Sequence, residues 1–114
     1  MTSQEYDKLS DKEKRIKVAE LHKPHEKWEP VAHSISQIKW TRNGVLCLDS
    51  PADYLNDLNA CHEFENTMDA EQQYQYGKYL LTDIGKSRGV TSIRWEWNAT
   101  AKQRSKAFVV TMTK

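Results

Sequence analysis

No apolar run in this chain is long enough to cross a bilayer, and the opening MTSQEYDKLSDKEKRIKVAEL has no apolar core of the kind a signal peptide requires. The expected location is therefore cytosolic. Cysteine is scarce: Cys47 and Cys61 are too few for a disulfide framework and read as small buried apolar side chains. The four glycines form no phosphate-cradling loop, and no serine sits in a nucleophile-elbow pattern. An enzyme is therefore not expected, and neither is a cofactor. An excess of one charge sign is missing as well. Seventeen Lys+Arg against sixteen Asp+Glu leave a formal charge of +1, so no global field favours nucleic acid or a membrane surface. At 114 residues the chain is long enough to bury a core and short enough to be a single domain.

The stretch Ser50–Met68 has the clearest helix pattern. Ser50 can cap, Pro51 suits the first helical position, and Asp53 sets a negative charge at the positive end. Leu55, Leu58, Cys61, Phe64 and Met68 recur at three- and four-residue steps, which predicts one buried stripe on a central helix. Ahead of it, Ser10 and Glu13 have capping-box spacing and start a helix over about Asp11–Leu21, preceded by a frayed start over Met1–Leu9. Pro24 and Pro30 bracket a connector, His22–Val31, with Trp28 tucked onto the body and no regular structure.

Asn43-Gly44 lies between Ile35, Ile38 and Trp40 on one side and Val45–Leu48 on the other, which is the strongest short-range hairpin signal. Asp69 and Gln72 restart a helix whose inner stripe reads Tyr74, Gly77, Leu81 and Ile84, stopping at Gly85. Val90–Trp97 alternates as a half-buried strand. Thr100 and Gln103 then cap a last helix with Ala101, Ser105, Phe108 and Met112 in register, although Phe108–Thr113 is rich enough in β-branched residues to be a strand by propensity.

Two motifs resemble a known family. Pro51–Met68, PADYLNDLNACHEFENTM, and Asn98–Phe108, NATAKQRSKAF, are similar to the DYLNDLNAxHExE and ATAxQRxxAF stretches of small bacteriophage proteins in the phage ABA-sandwich domain family. The resemblance implies helices on both faces of a central antiparallel sheet, and a bacteriophage origin.

Chemistry-bearing residues are sparse. His62 and Glu65 have the i,i+3 spacing of bundle metal sites, but the chain offers no HExxH and no second such pair, so an ordinary half-exposed helix face is expected there. His22, His25 and His33 lack partners at motif spacing, and no metal is assigned. Asn56, Asp57, Asn59, His62 and Glu63 make a polar helix face that reads first as a clasp on nearby backbone and second as a ligand site. The best ligand candidate is the strand-to-helix junction. Trp95 and Trp97 offer stacking surface, and Asn98, Thr100 and Arg104 offer donors beside a helix N-terminus, which together suit a planar anionic, nucleotide-like ligand. The competing structural reading has the tryptophans in the core, Thr100 only capping, and Arg104 paired with an acid such as Asp57 or Glu63 on the Ser50–Met68 helix.

The expectation is an α+β domain, a small antiparallel sheet of one hairpin plus one strand sandwiched by about four helices. The expected role is a cytosolic phage accessory protein that binds without catalysis, sequestering a nucleotide-like ligand to counter host defence. The alternative is an inhibitor that docks directly onto a host protein. The edges of so small a sheet also make a homo-oligomer an expectation.

Overall fold

The computed structural model describes residues 1–31, 39–88 (backbone alone beyond 82) and 99–113. Among them the protein is α+β, with five helices and one three-stranded antiparallel sheet. In chain order these are α1 (Ser3–Asp7), α2 (Asp11–His22), β1 (Trp28–Pro30), β2 (Trp40–Arg42), β3 (Val45–Cys47), α3 (Leu58–Thr67), α4 (Ala70–Arg88) and α5 (Ala101–Met112). The expected strand Val90–Trp97, together with Ile35 and Ile38, lies outside the described residues.

Local signals placed most of the helix starts. Ser10 and Glu13 exchange the two bonds of a capping box, Asp69 and Gln72 do the same, and so do Thr100 and Gln103. Helix α1 was not anticipated. Thr2 and Glu5 make a further capping box in the stretch expected to fray, and burial of Tyr6 ties it down. The N-terminal ammonium adds a bond to Thr113 Oγ1 at 2.9 Å.

The sheet follows the order β1-β2-β3. Asn43 and Gly44 adopt φ of 54° and 81°, the positive values a two-residue type I′ turn needs, so the hairpin stands where the Asn-Gly pair placed it. The connector His22–Val31 holds a strand that was not expected there. Trp28–Pro30, read as an irregular connector, pairs with Trp40–Arg42, and Pro30 is tolerated because β1 is an outer strand of this sheet. Trp28 is buried as expected, set edge-on to Trp40 at 6.5 Å. Arg42 lies over the Trp28 ring and Arg15 of α2 over the Trp40 ring.

The segment from Ser50 departs most from its pattern. Pro51 does not begin a helix; a turn over residues 54–56 precedes α3, which starts at Leu58, capped by Asp57, whose side chain accepts from Asn59 N at 2.9 Å. The reason is tertiary. The Tyr54 carbonyl, which would have accepted from Leu58 N in a continuous helix, accepts from Ser105 Oγ at 2.6 Å and Cys61 Sγ at 3.2 Å. Arg15 holds the same segment by its Pro51 and Ala52 carbonyls. Leu55, Cys61, Phe64 and Met68 are buried as the stripe predicted, but Leu58, now at the helix start, is 45% exposed.

Helix α4 runs past Gly85 to Arg88, and up to residue 82 its buried residues are Tyr76, Gly77 and Leu80; the side chain of Ile84, a member of the expected stripe, lies outside those described. Tyr74 and Leu81, two members of the expected inner stripe, face outward. A helix carrying apolar residues at 74, 76, 77, 80 and 81 offers two stripes about 100° apart, and pairing decides which one is buried.

The centre of the fold is α5 rather than the Ser50–Met68 segment. It remains helical through Phe108–Met112, and Ala101, Arg104, Ser105, Ala107, Phe108, Val109 and Val110 are all buried. It touches α1, α2, α3 and α4. Such burial on nearly every side is what a helix needs to occupy a core. Phe108 stacks on Phe64 at 4.2 Å, and Tyr54, Tyr76 and His22 surround Phe64 edge-on or tilted.

These positions make opposite predictions for two neighbouring apolar residues of α3. Phe64→Ala should cost about 3–5 kcal/mol, from lost transfer energy plus a cavity. Leu58→Asp should change stability by no more than about 0.5 kcal/mol, because the site is half exposed and a carboxylate suits the first turn of a helix. Urea denaturation of both variants checks this; a Leu58→Asp protein as unstable as Phe64→Ala would refute the helix start at Leu58.

Candidate functional site

The polar cluster that sequence reasoning placed around Arg104 is organised by Glu65. Helix α3 carries Glu65 one position past Phe64, at the margin of its buried stripe, and α5 carries Arg104 opposite it. Arg104 Nη1 donates to both Glu65 oxygens, at 3.0 and 2.9 Å, and Arg104 Nε donates to the Ala99 carbonyl at 3.0 Å. Tyr76 of α4 donates its hydroxyl to Glu65 Oε2 at 2.8 Å, and His62 Nδ1 lies 3.0 Å from Oε1. The arginine side chain is 4% exposed and the glutamate 12%. Three helices therefore meet on one carboxylate, which satisfies the demand that a buried charge be paired and hydrogen-bonded.

The electrostatics are those of an interior. Burial first, then the Glu65 charge and the hydrogen bond it accepts, drives the Tyr76 phenol far above its ordinary range. Burial pushes the Cys61 thiol up to about 11, against a smaller opposing effect of its Ser105 contact. Cys61 is thus the inert apolar residue expected of it. Tyr54 is pushed up to about 12 by burial and the charge of Glu63. Its hydroxyl meets His22 Nδ1 at 3.1 Å, and burial together with the Lys23 charge lowers the His22 pKa.

The junction residues divide. Trp95, Trp97 and Asn98 lie outside the described residues. Thr100 is the N-cap of α5, accepting from Gln103 N. Arg104 is the partner of an acid on α3, and that acid is Glu65 rather than Asp57 or Glu63. The polar helix face is local in its bonding: Asn56 donates to Asp53, Asp57 caps α3, and Asn59, His62 and Glu63 are exposed. Sequence reasoning missed Tyr76 altogether and passed over Glu65. Its position beside the Cys61–Phe64–Met68 stripe was the available signal. Among the described residues no group of three or more His, Cys, Asp or Glu is placed to hold a metal ion.

An apolar opening lies on the outer side of α4. Tyr74, 63% exposed, and Leu81, 43% exposed, flank Gly77 across a cleft of about 430 Å³ rimmed by Gln73, Lys78 and Thr82. A second cleft of similar volume, between the end of α2 and the hairpin, is lined by both signs of charge: Lys23, Glu26, Arg42 and Asp49.

The chain matches no protein-family model, no curated protein and no solved structure.

Two measurements test this geometry. Arg104→Ala should destabilise the protein by about 3–5 kcal/mol, since it strands a buried carboxylate, whereas Glu65→Gln should cost less because an amide can keep part of the bonding. Equal midpoints for wild type and Arg104→Ala in denaturant would refute the buried pair. For His22 the sign runs one way. Its folded pKa is lowered, so as pH falls through the unfolded value of about 6.5 the unfolded chain takes up a proton that the folded one resists. Stability should fall with pH in that window, and His22→Gln should remove that part of the slope; parallel wild-type and variant curves would refute it.

Proposed function

We propose that this chain acts by binding another protein, without catalysis of its own, through the outer face of α4. The observation that carries the proposal is the cleft around Gly77, where a half-exposed tyrosine and leucine form an apolar centre inside a polar rim. Tyrosine is enriched among residues that dominate interface energies, and an apolar centre ringed by polar groups is the usual anatomy of such a patch. The interior supports the same reading. The buried pair Arg104 and Glu65 and the buried hydroxyls of Tyr54, Tyr76 and Ser105 are engaged in holding helices and turns together. Arg104, the cation offered for a nucleotide-like ligand at the Trp95–Arg104 junction, is already engaged by Glu65 and Ala99 and is 4% exposed, which favours docking over sequestration. Bacteriophage origin, and interference with host defence as the purpose, rest on the family resemblance of PADYLNDLNACHEFENTM and NATAKQRSKAF.

Native mass spectrometry of the protein purified from bacterial cells, compared with a Tyr74→Ala/Leu81→Ala variant, tests this reading. The expected result is a host protein held at fixed stoichiometry by the wild type and bound at least about 30-fold more weakly by the variant, the effect of losing about 2 kcal/mol at the centre of an interface. The variant should melt within about 0.5 kcal/mol of wild type, because both side chains are exposed. A nucleotide-sized mass retained instead would overturn docking in favour of sequestration, and a partner retained equally by the variant would move the interface elsewhere.

A further inference from the structure

Helix α1 carries a side chain that the interior does not satisfy. Tyr6 is 2% exposed, and among the described residues its buried hydroxyl meets no donor or acceptor. The hydroxyls of Tyr54, Tyr76 and Tyr79 each meet a partner. A hydroxyl closed off from water without a bond loses its hydration and gains nothing in return, so Tyr6 holds α1 down less firmly than a phenylalanine would. The phenol recovers a bond, to water, only when Tyr6 leaves its place.

The remaining attachments of α1 are slight and peripheral. The helix has five residues, too few to persist without the body it packs on, which is chiefly α5. Its polar ties lie toward the surface. Ser3 Oγ accepts from the Tyr79 hydroxyl of α4 at 3.2 Å, Asp7 pairs with Lys106 of α5 at 2.8 Å, and the N-terminal ammonium donates to Thr113 Oγ1. Contacts of this kind contribute little each. One flank is loosely packed as well: a cleft of about 300 Å³ is lined by Tyr6 and Asp7 together with Asp11 and Lys14 of α2 and Lys102 of α5. The Lys14 ammonium lies 5.1 Å from the centre of the Tyr6 ring, a contact that uses the ring and leaves the hydroxyl unsatisfied.

We infer that α1 is a strap that opens from the body as a unit while the rest of the fold stays closed, with Tyr6 as its latch and the Ser3–Tyr79 bond as its link to α4. Tyr79 lines a pit of about 220 Å³ together with Lys78 and Thr82, and the same two residues rim the cleft around Gly77. Closure of the strap therefore holds a tyrosine at the border of the α4 face, and opening releases it. That consequence rests on the docking role given to α4, whereas the opening is a property of the chain alone.

Hydrogen exchange of the full chain, followed by mass spectrometry from milliseconds onward with no partner added, tests the strap apart from any docking. The amides of Tyr6 and Leu9 bond to the carbonyls of Thr2 and Tyr6. Relative to an unstructured chain they should be at least about a hundredfold less protected than those of Phe108 and Val109 in α5, as a unit that opens locally must be. Tyr6→Phe should slow exchange over residues 2–9 about tenfold, because the closed state no longer strands a hydroxyl. Tyr79→Phe should speed it about threefold by removing the tie to α4. In urea the midpoint of Tyr6→Phe should rise, while that of Tyr76→Phe, which gives up a bond to Glu65, should fall. Equal protection in α1 and α5, a Tyr6→Phe variant that exchanges as fast as wild type or is less stable, or a Tyr79→Phe variant with unchanged α1 exchange would each overturn the proposal.

Discussion

The fold depends on one largely buried carboxylate, 12% exposed. Glu65 sits on α3 at the edge of an apolar stripe, and burying it there without compensation would cost several kcal/mol. Arg104 from α5 and Tyr76 from α4 supply the compensation, and each can do so only if its own helix lies where it does. A bonded carboxylate has few acceptable arrangements, whereas leucine against leucine has many. The cluster thus sets which face of α4 turns inward: Tyr76 and Leu80 are buried, and Tyr74 and Leu81 are left outside.

A second constraint couples the loop before α3 to the central helix. Ser105 Oγ, fully buried on α5, donates to the Tyr54 carbonyl, and Cys61 Sγ shares that acceptor. The intrahelical bond that would have extended α3 back toward Pro51 is replaced by a tertiary one, and Asp57 becomes the cap. The exposure of Leu58 follows from this substitution. Helix α5 therefore organises the molecule twice, through Arg104 and through Ser105, while Phe108 supplies the stacked contact with Phe64 between them.

These polar groups are engaged inside the molecule. Among the described residues the large exposed apolar side chains are Leu58 at the start of α3, Tyr74 and Leu81 on the outer side of α4, and Val45, Leu46 and Leu48 on the hairpin. Contiguous apolar patches rimmed by polar residues are characteristic of surfaces that meet other macromolecules.

The sequence by itself determined the elements that depend on short-range chemistry. Reciprocal capping pairs at Ser10, Asp69 and Thr100 marked three helix starts, and Asn43-Gly44 placed the hairpin, because a cap or a positive-φ turn is made from neighbours along the chain. The α+β class and the burial of Trp28, Cys61 and Phe64 were legible for similar reasons. Tertiary structure alone decided what required a distant partner. It gave the carbonyl of Tyr54 to Ser105, paired Arg104 with Glu65 instead of Asp57 or Glu63, and made Trp28–Pro30 a strand by pairing it with Trp40–Arg42. It also chose between the two apolar stripes of α4. Periodicity identifies faces that can be buried, but when two are available it carries no information about which one a partner covers.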